Sequence, residues 1–155
     1  MAGGFQLEWS IEGEKQLSRV LRGVANDVQD LRKPFKESGE KLKRTFEDDV
    51  FRTQGAAIGE KWARLSPYTV AQKARLGYSA APLIRTGAMK EAFRSIASSD
   101  QAVIYNTAEY FKYHQSNKPR RRIPRRVMMK LGENQREEVV KIFQRYLRES
   151  LRKHG

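Results

Sequence analysis

Cysteine is missing from all 155 residues. That excludes thiol nucleophiles, thiolate zinc sites, iron–sulfur clusters and disulfides together, and leaves the redox compartment open. Histidine is nearly missing too. His114 and His154 are far apart, with no acidic neighbour at a ligand spacing, so neither reads as part of a metal site. No apolar run approaches the about 18 residues that cross a bilayer, and residues 1–10 lack the basic start and apolar core of a signal peptide. The expectation is a soluble, unexported chain with no membrane partner. Gly55 and Gly59 lack the following Lys-Ser/Thr of a phosphate-cradling loop. Glu47, Asp48 and Asp49 are contiguous, so on a helix they point in different directions and form a solvated face rather than an acid–base pair. These gaps together predict no enzymatic activity, no metal and no cofactor.

Acidic residues are also scarce. There are 18 against 31 lysines and arginines, a net charge of +13, which favours an anionic partner. Thirteen of the basic residues and only four of the acidic ones fall between Lys118 and Gly155, so the excess sits at the C-terminal end. With 39% hydrophobic residues, the chain has the apolar content of one domain, spanning 1–155, and shows no repeat, low-complexity linker or second-domain boundary.

Hydrophobic periodicity marks out strands and helices along the chain. Phe5, Leu7, Trp9 and Ile11 alternate with polar residues, so 5–11 reads as a strand. A helix is expected over 13–32, then a break or bend near Lys33 and Pro34. Phe35, Leu42, Phe46 and Val50 then resume a helical stripe. Residues 53–67 read as a loop anchored by Ile58, Trp62 and Leu65. Ser66-Pro67 opens a short helix over 68–76 that Gly77 ends, and Thr86 caps a second short helix beginning at Gly87. Residues 95–99 and 101–106 form a hairpin turning at Asp100. The aromatics Tyr105, Tyr110, Phe111 and Tyr113 are either core or contact surface. Asn134 with Glu137 reads as a capping box opening a last helix with Val140, Phe143, Leu147 and Leu151 on one apolar stripe.

The cationic segment is the strongest functional signal in the residues themselves. Lys118, Arg120, Arg121, Arg122, Arg125 and Arg126 surround Ile123 and two prolines, within a basic arm at 117–130 that reads as stiff, extended and exposed. Planar guanidinium groups suit carboxylates and phosphates alike, so an acidic protein surface and nucleic acid both stay open as partners.

Gly59-x-x-Trp62-x-x-Leu65-Ser66-Pro67-x-Thr69, then Lys73, then Pro82-Leu83-Ile84-x-Thr86-Gly87-x-Met89, resembles in order and spacing the virion morphogenesis, or tail-completion, family of tailed bacteriophages. His114-Gln115 and the arginine- and proline-rich segment after it extend the likeness, with Ser116-Asn117 where the family commonly has a glycine. The resemblance implies an α+β fold, a small antiparallel sheet packed by long N-terminal helices and a C-terminal amphipathic helix, in a structural protein made in the bacterial host cytoplasm and located in the virion, at the tail or neck. It implies tail completion or head–tail joining in a homo-oligomeric ring. The partners it implies are tail terminator, tail tube or connector subunits, with DNA in the lumen. On this reading Trp62 and Leu65 are loop anchors, Ser66 and Thr86 are caps, and His114-Gln115 ties a turn to the sheet. The arm and the N-terminal strand are expected to become ordered on assembly. The rival class is a nucleic-acid-binding protein using the 118–126 arginine cluster.

Overall fold

A computed structural model describes residues 5–9, 29–116 and 124–154. Three strands, β1 (Gln6–Trp9), β2 (Phe93–Ala97) and β3 (Ala102–Asn106), form an antiparallel sheet in the order β1-β3-β2. Leu7 faces Ile104 across one ladder and Ser95 faces Ile104 across the other. The hairpin turns where expected: the Ser98 amide donates to the Gln101 carbonyl at 2.8 Å and its hydroxyl to Asp100. Period-two geometry puts Ala102, Ile104 and Asn106 on the buried face of β3. β1 is paired with β3 within the single chain, from Gln6 opposite Tyr105 to Trp9 opposite Ala102.

The buried sheet face is covered by α1 (Arg32–Arg44), which runs through a π-helical turn, Thr45–Asp49, into a last helical turn at Val50–Arg52. Phe35, Leu42, Phe46 and Val50 are all within 1% of complete burial, so the predicted stripe is the core stripe. Steps of four residues drift around a 3.6-residue helix, and the wider π turn absorbs that drift, holding Phe46 and Val50 on the sheet side. The chain breaks rather than bends before α1. Gln29 is helical, Asp30 and Leu31 are not, and the Asp30 carboxylate accepts the Arg32 amide. The helix expected over 13–32 lies mostly outside the described residues. Glu47, Asp48 and Asp49 each meet a cation, Lys43, Lys90 and Arg52 respectively, as a solvated acidic face would.

The last helix, α4 (Glu133–His154), closes the core, with Phe143 edge-on to Phe35 at 4.8 Å and Arg145 paired to Glu37 of α1. Two expectations fail here. The helix begins at Glu133, so Asn134 lies within its first turn and is not its cap. Its buried ridge carries Gln135, Val139, Ile142, Phe143 and Ser150, while Val140 and Leu151 are exposed. Phe143 alone of the predicted apolar stripe is fully buried, because the ridge facing α1 is set by where the helix docks and not by which residues are most apolar.

Candidate functional site

The family-like motif begins in a tight loop after α1. Gly55 has φ +88°, and a Cβ there would stand 1.9 Å from the Glu60 carbonyl oxygen and 2.7 Å from the Trp62 ring, so only glycine fits. The loop folds back through Trp62 N–H to Gln54 O at 2.7 Å, and this seats the indole against Phe51, edge to face at 5.3 Å. Indole Nε1 then donates to the Val127 carbonyl at 2.7 Å. Trp62 is therefore the buried anchor that the spacing predicts. Gly59, also at positive φ, ends the short 3-10 turn Ala56–Ile58. Leu65 is only half-buried, and it faces a cleft.

Ser66 caps α2 (Pro67–Arg75), its hydroxyl accepting the Thr69 amide at 3.2 Å with Pro67 in the first helical position, and Gly77 at φ +78° follows the last turn. Thr86 does not cap a second helix. Its hydroxyl accepts the Ala88 amide in a local turn around Gly87, only a 3-10 turn at Lys90–Ala92 forms, and β2 starts at Phe93, two residues earlier than expected. Phe93 is better satisfied in the sheet, where it packs between Phe46 and Phe111 with full burial.

His114 and Gln115 close α3 (Phe111–Gln115). The Gln115 carboxamide works as a side-chain strand. Its Oε1 accepts the amides of Met128 and Met129 at 2.9 and 3.2 Å, and its Nε2 donates to the Met129 carbonyl at 2.6 Å. Gln115 thus ties the segment at 126–129, and not the sheet, to α3. The aromatics nearby divide: Phe111 is in the core, whereas Tyr110 and Tyr113 are exposed, their rings 6.1 Å apart.

The basic arm is corrected in the same place. Arg126, Val127, Met128 and Met129 are buried, with Arg126 only 5% exposed. The Arg126 guanidinium donates to the carbonyls of Ala63 and Arg64 at 3.0 and 3.4 Å, and its amide donates to His114 O. The end of an arm that reads as exposed is a strap through the interior, because three apolar side chains in a row outweigh one cation whose donors find carbonyls. Arg126 is accordingly a structural brace and not an exposed contact. Arg125 is exposed, and its Nε donates to Gln115 O at 3.3 Å. Lys118, Arg120, Arg121 and Arg122, like Asn117, lie outside the described residues.

These elements enclose a cleft of about 430 Å³. One wall is the face of α2 carrying Thr69, Gln72 and Lys73, an i, i+3, i+4 set continued by Leu76 just past the helix end. The other wall is the 78–89 loop, with Leu83, Ile84 and Met89, while His114 and Arg126 complete the lining. Leu83 sits at φ +61°, a costly conformation for a bulky residue that the surrounding loop must enforce. Lys73 Nζ braces that loop by donating to the carbonyls of Ala81 and Ile84 at 2.6 and 2.9 Å. Burial and, secondarily, the nearby Arg126 charge hold the Lys73 ammonium below the ordinary lysine pKa. Burial likewise lowers Arg126. The sequence marked Lys73 and Met89 only as motif positions, and no spacing rule showed that they would line one cleft with His114.

The family model for phage virion morphogenesis matches residues 13–148, most of the chain. The protein belongs to that family, and its class is phage virion assembly. No curated protein and no solved structure matches it.

Proposed function

We propose that the protein is a non-enzymatic structural component that completes the tail or joins it to the head, working as a homo-oligomeric ring at the neck. The observation that carries this reading is the outer side of α2. None of its nine residues is buried, and Tyr68 and Val70 are 77% and 38% exposed. A capped helix that offers apolar side chains to solvent beside the family motif is built for a protein contact. Tyr113 on α3 and Tyr110 just before it add exposed aromatics beside His114, and such residues are favoured at interface centres. The cations Lys118, Arg120, Arg121, Arg122 and Arg125 serve, in this reading, as the rim that meets an acidic neighbouring subunit.

Replacing Tyr68 and Val70 with serine tests it. Both side chains are exposed, so the purified variant keeps its thermal unfolding midpoint. A phage complemented with it accumulates separate heads and tails by electron microscopy. Normal infectious particles would overturn the reading.

A further inference from the structure

We propose that the cleft between α2 and the 78–89 loop is a receptor for a carboxylate on an apolar stem, an aspartate or glutamate in an otherwise hydrophobic peptide segment of a partner virion protein. Only the identification of the partner as a virion protein rests on the assembly reading above. The lining holds three cations, Lys73, Arg85 and Arg126, and no carboxylate. Among the described residues none of the three is in an ion pair. Their partners are backbone carbonyls for Lys73 and Arg126 and the Tyr78 ring, 5.0 Å away, for Arg85. Elsewhere the chain does pair its lysines and arginines across elements, as in Lys130 with Glu60 at 2.7 Å and Lys90 with Asp48 at 3.1 Å. Like charges gathered in a recess without a counter-charge repel one another, and an incoming anion relieves that repulsion.

The remainder of the lining decides what kind of anion. Leu65, Leu76, Leu83, Ile84 and Met89 supply apolar surface, which a phosphodiester with its hydrated sugar leaves unused and an aliphatic acid covers. The strained Leu83 and the Lys73 brace hold this wall before any ligand arrives, so little ordering cost is left for binding. Lys73 uses two of its three N–H donors on carbonyls, and Arg126 has five, so both retain donors for an acid.

The test uses the whole chain and methyl NMR, with hexanoate, hexanol and inorganic phosphate as probes. Hexanoate is expected to move the Ile84 and Met89 methyl signals saturably while hexanol and phosphate do not. The variant Leu76→Asp places a carboxylate at the cleft on the exposed residue that ends α2. It is expected to weaken hexanoate by about tenfold more than Leu76→Asn, which removes the same apolar surface without adding a charge, and both variants are expected to keep the unfolding midpoint. Phosphate matching hexanoate would overturn the proposal in favour of a general anion or nucleic-acid site. Hexanol matching hexanoate would reduce the cleft to an apolar hole, and no response to any probe would remove it as a site. In the phage, Leu76→Asp should block joining of heads and tails. Binding lost in vitro with normal particles would overturn the partner. Absent hexanoate binding alongside failed assembly of the Tyr68–Val70 variant would sink the cleft and leave the assembly reading standing.

Discussion

At the scale of single residues, the loop between α1 and α2 depends on one atom that is absent. Gly55→Ala would force a Cβ onto the Glu60 carbonyl at a backbone φ that alanine avoids, and the indole that seats on this loop would have to move. A loss of roughly 2–4 kcal/mol is expected, read as a lowered midpoint in urea or thermal unfolding. Gln115 is the other fixed point. Gln115→Leu keeps the volume but leaves two amides and one carbonyl of the Met128–Met129 strap without partners, at about 1–3 kcal/mol for each group that water cannot reach. It should therefore cost more than the substitution of any exposed arginine. The Lys73 ammonium, held down by burial and by Arg126, should titrate below the chain's surface lysines when followed through its Cε signal, and Leu76→Asp should raise it. The folded-state pKa lies below the unfolded one. The unfolded chain therefore binds more protons between the two values, and stability from this group rises with pH across that alkaline window.

Among the elements, those whose signals are local were legible. Ser66-Pro67 and Gly77 mark the ends of α2 because capping and positive φ are settled within a turn, and the 98–101 turn follows from two short β-prone runs. The stripe of α1 was equally plain. What failed depends on docking. In α4 the same residues carry two apolar ridges, and docking on α1, where Phe143 meets Phe35, buries Phe143 and Val139 and leaves Val140 and Leu151 exposed. The turn around Thr86 has good capping chemistry, yet Phe93 gains more by entering the sheet than by extending a helix. The strap at 126–129 is the largest departure, since nothing in its own residues signals that Trp62 will bond Val127 from 65 positions away and Gln115 will bond Met129 from 14. A consequence at this scale is that Trp62→Phe, which keeps the ring against Phe51 but leaves the Val127 carbonyl unpaired, should loosen the strap. Amide hydrogen exchange at Met128 and Met129 should rise by about tenfold while α2 is unaffected.

For the whole molecule, charge and composition fixed a narrow set of outcomes. The absence of cysteine excludes thiol chemistry, and the +13 net charge makes an acidic or anionic partner the expectation. Family membership across residues 13–148 makes it a phage virion assembly protein. Replacing Arg120, Arg121 and Arg122 together with alanine should leave the unfolding midpoint in place and reduce joined particles in a complementation assay, as loss of rim cations weakens association more than folding. Periodicity, capping and composition are properties of the residues in their order along the chain, and the sequence by itself therefore determined the core stripe of α1, the ends of α2 and the excess of positive charge, while the α+β class came with the family-like motifs. The tertiary structure alone decided that Arg126 is a brace and not an arm. It alone brought Lys73, His114 and the 78–89 loop around one cleft, because burial and cavity lining are set by contacts between residues distant in the chain.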